Sequence, residues 1–386
     1  MRERLTHRRS STSGAIPSVN FGIAEDFSLG IEDELLLVDP VGHGLVHRAS
    51  EVLALVDADP LEGRAVTDAY AGMVELLTPV CSDASEATAC IDALRQRLRA
   101  AGATAIGAGL HPTAEFGDVV HAPGERYRSI AGEMRGLQAR TPTCALHVHV
   151  AMPDAETAIR ACNALRVHLP LLQALAANSP FWYGRDSSLA SARAQMFRAF
   201  PRSEIPPAYG SFDEYAERVS EIAAAGDFSD YTFLWWDIRP HPSQGTVEVR
   251  AMDSQSSLGS IAGLGALVQG LAAWAAEQRG PWERRQVLME SSFRAARDGL
   301  DATLWHRGAL RPAVDVARDT VALARPYAMA LGSEEALEEI ERLLIDGNGA
   351  ARQRAAFRRG GLPAVLAQLV AETARPSPAM SQHRAP

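Results

Sequence analysis

The sequence predicts an α+β fold: a mainly antiparallel sheet with helices on one face and a helical C-terminal part. Three observations predict it. Apolar stretches of strand length come in hairpin-like groups before Ser257. Within them, ionisable residues recur two apart, the spacing at which side chains share one face of a sheet. After Ser257 the pattern is helical to about Ala374.

In chain order, LGIEDELLLV (Leu29 to Val38) reads as a strand stopped by the turn pair Asp39-Pro40. A second strand fits Met73 to Thr78 and ends at Pro79. Asp83-x-x-Glu86 is a capping box for a helix from Ser85 to Ala101, closed by Gly102. A short strand covers Ala105 to Leu110, followed by a Pro/Gly-interrupted region up to Pro142. Cys144 to Ala151 alternates as a strand, and Asp154 caps a helix to Ala177 that bends at Pro170. Asn178 to Phe228, with Pro180, Pro201, Pro206 and Pro207, reads as an irregular functional cover. Strands at Phe233 to Arg239 and Thr246 to Met252 flank a turn with Pro240, Pro242 and Gly245. Breaks in the helical part fall near Gly280-Pro281, Arg311-Pro312 and Gly347 to Gly349. The whole reads as one domain, 24–374, between tails at 1–23 and 375–386, with no internal repeat.

With 386 residues, 47% hydrophobic and 22% charged, the chain can bury a sizeable core. No apolar run reaches the roughly 18 residues that span a bilayer, so no membrane partner is expected. Arg2, Arg4, Arg8 and Arg9 have no apolar stretch after them, against a secretory leader. Cys81, Cys90, Cys144 and Cys162 form no C-x-x-C pair and read as buried thiols of a reducing cytoplasm. A net charge of −9 argues against a nucleic-acid partner, and means that a polyphosphate would need bridging cations. All 38 basic residues are arginine. That removes the P-loop, the kinase strand lysine and any Schiff-base lysine.

The chemistry lies in the paired residues: Glu32 and Glu34, His147 and His149, Asp237 and Arg239, Glu248 and Arg250, with Glu75 in MVELL. In LHVHV and TVEVR the intervening valines face the other way, so each strand has one apolar and one polar face. A solvated face would carry lysine, serine and threonine. Four strands carrying glutamate, histidine and arginine instead argue for a shared site. Glutamate oxygens with one imidazole suit magnesium or manganese better than zinc. Converging carboxylates need more than one cation between them. Arg250 offers a fork for a carboxylate or phosphate. Gly259, Gly263, Gly265 and Gly270 read as helix-packing positions, and His111 as a loop histidine.

These residues stand in LGIEDELLLVD from Leu29, ELLTP from Glu75, CALHVHV from Cys144, NSPFWYGRDSSLASAR from Asn178, and WWDIRPHPSQGTVEVRAMD from Trp235. In that order the motifs resemble the type 2 glutamate–cysteine ligases, also called carboxylate–amine ligases, from about residue 27 to Arg354. The resemblance implies a fold similar to the catalytic domain of glutamine synthetase, with a curved antiparallel sheet lining a funnel where ATP and metals meet. It implies metal ligation by Glu32, Glu34, Asp68, Glu75, His147 and Glu248. Arg193 and Arg250 would contact phosphate or substrate, and His149 would support the cofactor from behind. ATP with Mg2+, or Mn2+, is the expected cofactor set.

The implied reaction joins an amino-acid carboxylate, glutamate by family expectation, to an amine, cysteine or another, through an acyl phosphate. Expected partners are therefore small molecules, with homo-oligomerisation left open. Asp33 replaces a usual glutamate and should point to the opposite face. Ala145, Ala151 and Ser188 stand where glycines are common. Glu32→Gln and Glu248→Gln are both expected to spare the fold. Two alternatives remain: an amidohydrolase-type metal hydrolase, since H-x-H lies on a strand, and a non-catalytic binding protein.

Overall fold

A computed structural model describes residues 15–16, 18–56 and 62–376. Eleven strands occur among them. β1 (Leu29–Leu37), β2 (Arg64–Thr67), β3 (Met73–Leu77), β4 (Ala105–Ile106) and β5 (Ala145–Ala151) precede a small hairpin of β6 (Phe181–Trp182) and β7 (Arg185–Asp186). Then come β8 (Ile238–His241), β9 (Thr246–Asp253) and a second hairpin, β10 (Thr303–His306) and β11 (Ala309–Pro312). The main sheet runs β2-β3-β1-β5-β9-β8, with β4 also paired to β1, and its pairings are antiparallel.

The alternation that predicted the strands sorts their faces. Ile31, Leu35, Val148, Val150, Val247 and Val249 are buried in the main core. On that face the helices Ala84–Ala100, Ala155–Leu165 and Leu258–Ala276 pack against the sheet. Leu258–Ala276 is long and apolar enough to cross a membrane, contrary to the sequence reading, but 89% of it is buried inside the fold. It is the central helix of the core. A Cβ on Gly265 would sit 3.2 Å from Ile31 Cδ1 and one on Gly270 2.9 Å from the Ala324 carbonyl oxygen, so both glycines serve close packing. The Asp83 carboxylate caps the helix Ala84–Ala100 by accepting from the Glu86 amide, as its motif foretold.

Several expectations are corrected. The expected N-terminal tail is docked well before Ile23: Ala15 is buried, and the Asn20 and Gly22 amides donate to the Pro242 and Met152 carbonyls at 2.8 and 2.9 Å. Residues 1–14, 17 and 377–386 of the two expected tails lie outside the described residues. The region before Pro142 contains a helix, Glu125–Met134, continued by a 3-10 turn, Arg135–Arg140. Within 178–228 stand the helices Ala192–Phe197 and Phe212–Gly226, the second capped by Ser211, whose hydroxyl accepts from the Glu214 amide. The helix expected to bend at Pro170 is interrupted at Arg166–His168, leaving Pro170 in the first turn of Leu169–Ala176, where its missing N–H costs nothing. The expected strand 233–239 is displaced to Ile238–His241. It runs through Pro240 because β8 is an edge strand. All four cysteines are free, three buried and Cys90 half-buried.

Candidate active site

The polar face of the sheet carries a ladder fixed by strand register. Glu75 on β3 lies opposite Glu34 on β1, and Glu32 lies opposite His147 on β5. His149 lies opposite Glu248 on β9, and Glu248 opposite Arg239 on β8. Residues that are scattered over the sequence thus become direct cross-strand neighbours.

Side chains close the ladder. Glu32 Oε2 is 2.8 Å from His147 Nδ1, and Glu32 Oε1 is 3.2 Å from His149 Nε2. Glu34 accepts from the Ala145 amide at 2.6 Å. Arg239 Nε donates to Glu248 Oε2 at 2.5 Å, and Arg250 pairs with Glu248 Oε1. A cavity of about 190 Å³ lies against this face. Glu32, Glu34, Asp68, Glu75, His147, Arg193 and Arg250 all line it, which gathers most of the residues singled out from sequence. Asp237 does not join them: it pairs with Arg198 at 3.5 Å, and its carbonyl accepts from the Arg250 amide. His149 and Glu248 lie behind the lining, with Glu248 only 1% exposed beneath its two arginines. His111 is a loop histidine whose ring is bonded to the His43 carbonyl at 2.9 Å.

Glu248 is therefore not a simple ligand. Both its oxygens accept from guanidinium groups, so a cation bound there would share them with Arg239 and Arg250. Removing its charge would take away the carboxylate that Arg239 and Arg250 share, so Glu248→Gln is expected to cost more stability than Glu32→Gln.

The electrostatics separate two groups. Burial pushes Glu34 up to about 8, aided by Asp68 and opposed by Arg193. Burial likewise raises Glu75 and Asp68, and neighbouring carboxylates add to it. On the other side, Glu32 is held below its ordinary value: burial acts against ionisation, but His149 and His147 outweigh it. Glu248 is held low against burial by Arg239 and Arg250. Burial and Arg250 lower His147 to about 4, leaving a neutral imidazole able to ligate.

A cluster of carboxylates that cannot all ionise is what a divalent cation would relieve. Ligand atoms of Glu32, Glu75 and His147 lie within 4.8 Å of one another, as do those of Glu32, His149 and Glu248. Glu32 belongs to both groups. Because Glu34 titrates near 8 in the folded protein instead of 4.5, the native state holds a proton that the unfolded chain releases. Metal-free stability should therefore fall as pH rises between those values. A cation must displace that proton, so its affinity should gain about tenfold per pH unit for each proton displaced. Mg2+ is accordingly expected to raise the melting temperature more at pH 8 than at pH 6. An equal or smaller rise at pH 8 would show that the cluster is not the metal seat.

The tertiary structure adds residues that sequence reading missed. β9 contains a bulge: Val249 pairs with Val148 but Met252 with Leu146, so β9 carries one residue more than β5. The bulge sends Met252 into the core and turns Asp253 to the polar face. There Asp253 accepts from the Asn178 amide at 2.9 Å and from the Ser179 and Ser191 hydroxyls at 2.7 and 2.8 Å. It lies 3.7 Å from Arg193 Nη1 and so ties the NSPF segment and Arg193 to the sheet. The VRAMD spacing, which breaks the period of two, was the available signal. Arg126 lines the cavity from the helix Glu125–Met134, bonded to Asp230 at 2.9 Å and Thr232 at 3.0 Å. Phe197, Phe200 and Trp235 form an aromatic wall beside it.

Residues 28–370 match the family described as glutamate–cysteine ligase family 2. A relative from Rubrobacter xylanophilus, provisionally named glutamate–cysteine ligase 2-3, is 41% identical over 362 residues, covering 92% of this chain and 99% of its own. One from Gloeobacter violaceus, provisionally named glutamate–cysteine ligase 2, is 32% identical over 357 residues, covering 89% and 96%. Among solved structures, the fold is similar to the glutamate–cysteine ligase of Francisella tularensis in complex with AMP, with a TM-score of 0.67 at 13% identity over 90% of this chain and 88% of that one. It is also similar to a bifunctional glutathione synthetase from Pasteurella multocida, with a TM-score of 0.66 at 15% identity over 90% of this chain and 52% of that one.

Proposed function

Because the chain belongs to glutamate–cysteine ligase family 2 and is thus a carboxylate–amine ligase, we propose that it activates an amino-acid carboxylate with ATP and joins it to an amine. Glutamate is the first candidate for the acid, and cysteine or another amino acid for the amine. The observation that carries this reading is the cavity in which Glu32, Glu34, Asp68, Glu75 and His147 face Arg193 and Arg250 across one polar sheet face.

A carboxylate is a poor electrophile in water. Its oxygen attacks the γ-phosphorus of ATP, the bond to the ADP oxygen breaks, and an acyl phosphate results. The amine nitrogen then attacks the acyl carbon, phosphate leaves with the carbon–oxygen electron pair, and the nitrogen loses a proton. Little of this needs covalent help from protein; it needs positioning and charge neutralisation. Mg2+ or Mn2+, held by Glu32, Glu34, Asp68, Glu75 and His147, would supply the cationic charge that brings phosphates to this acidic surface. Arg193 and Arg250 each have a buried Nε with no hydrogen-bond partner among the described residues, so their forks have capacity left for phosphate or carboxylate oxygens. That arrangement accounts for phosphate chemistry in a chain without lysine.

The hydrolase alternative loses its footing. The H-x-H strand sits inside an antiparallel sheet, not at the first strand of a parallel barrel, and the family is one of ligases. The deciding experiment is ATP turnover over a panel of amino acids and amines with product masses recorded. The expected result is ADP and phosphate in an acid- and amine-dependent reaction abolished by chelation. Release of AMP and pyrophosphate, or turnover that survives complete chelation, would overturn the acyl-phosphate route.

A further inference from the structure

Among the polar side chains that line the cavity without a role in the chemistry above, one has a buried atom with no hydrogen-bond partner among the described residues. Gln138 lies in the 3-10 turn Arg135–Arg140, is 3% exposed, and lines the same cavity as Arg193 and Arg250. Its Oε1 is buried and makes no hydrogen bond among the described residues. A buried amide oxygen left unpaired is costly and calls for a partner outside the protein chain.

The turn is held in place independently of that side chain. Arg140 Nη2 donates to the Met196 carbonyl at 2.9 Å, and Tyr183 Oη donates to the Arg140 carbonyl at 2.8 Å. The first of these bonds docks the turn on Ala192–Phe197, the helix that carries Arg193. Gln138 and Arg193 thus stand on two joined segments that line one cavity, each with a buried polar atom, an acceptor on one and a donor on the other, that has no hydrogen-bond partner among the described residues. An α-amino acid carries the complementary pair, an ammonium donor and a carboxylate acceptor.

Resting on the ligase reading, we infer that Gln138 is a specificity-determining residue: its side-chain oxygen accepts from the α-ammonium of the amino acid whose other carboxylate is activated. The site thereby distinguishes an amino acid from the dicarboxylic acid that lacks the amine. A site built to pair with a charged donor rejects the analogue without it, because the acceptor is then left buried and unpaired.

The test compares L-glutamate with glutarate, which lacks only the amino group, on wild type, Gln138→Leu and Gln138→Glu. Wild type should prefer glutamate in kcat/KM on the order of 10²-fold. Gln138→Leu, close in size but without an acceptor, should raise the glutamate KM about tenfold or more, leave the ATP KM unchanged and collapse the preference. Gln138→Glu keeps an acceptor oxygen and should retain the preference, whereas a purely structural role would make a buried charge there the worse substitution.

The same comparison is read as ligand-induced thermal shift, with Mg2+ and a non-hydrolysable ATP analogue present. Failure of wild type to turn over any acid would strike the ligase reading, while the glutamate-against-glutarate shifts still judge Gln138. A glutamate preference that is the same in wild type and Gln138→Leu would show that bound water, not substrate, satisfies this oxygen, and would overturn the inference. So would a wild type that does not discriminate between the two acids.

Discussion

Glu32→Gln is expected to lower kcat on the order of 10³-fold while lowering the melting temperature by only a few degrees. Glu32 is the one residue common to both groups of candidate metal ligands among the described residues, so losing its charge would weaken both candidate positions at once. The swap keeps size and hydrogen-bonding capacity towards His147, which lies 2.8 Å away. It removes the attraction to His149 and His147 that keeps Glu32 ionised against burial. It also removes the repulsion that Glu32 exerts on Glu75 and Asp68, and the two changes offset each other in stability. Glu51→Gln is the control, because Glu51 is exposed and its ion pair among the described residues is with Arg48 on the surface. Steady-state turnover with saturating Mg2+ decides: near-normal kcat in Glu32→Gln would contradict the metal assignment.

Arg250→Lys is expected to lower kcat on the order of 10²-fold with a small loss of stability. Nη1 of Arg250 is committed to Glu248 and lies 3.5 Å from His147 Nδ1, whereas its Nε is buried with no hydrogen-bond partner among the described residues. A lysine can keep the ion pair with Glu248 but cannot also present the remaining edge of a planar fork to phosphate oxygens. If Arg250 served only to neutralise Glu248, lysine would substitute well in kcat and the deficit would appear in melting temperature. Both quantities measured on one preparation separate the roles, and wild-type kcat with a lowered melting point would remove Arg250 from the catalytic list.

The strand residues of the candidate site could be read from the sequence because strand periodicity is local, whereas Asp68 and Arg193 came only from the resemblance. Glu32 and Glu34, His147 and His149, Glu248 and Arg250 each share a face by virtue of a spacing of two, and the absence of lysine narrowed phosphate chemistry to arginine and metal. Asp33 falls between Glu32 and Glu34, and it does point away from the cavity, to a buried pair with Arg95 at 2.8 Å. The alternation could not show which strands would be neighbours. Register makes Glu75 face Glu34 and Arg239 face Glu248, and register is a property of long-range pairing.

The sequence by itself thus determined an α+β protein whose strands each present a polar face of glutamate, histidine and arginine, since backbone geometry ties side-chain direction to position in the strand. Only the tertiary structure decided three further things. The β9 bulge turned Asp253 to that face, breaking the period on which sequence reading depends. The segments read as loops became the helical cover that brings in Arg126 and Gln138, because their contacts are with distant parts of the chain and leave no local pattern. And Glu248 was committed to two arginines while Gln138 Oε1 was left with no partner among the described residues, because whether a buried polar atom is satisfied depends on every group that the fold brings within about 3 Å of it.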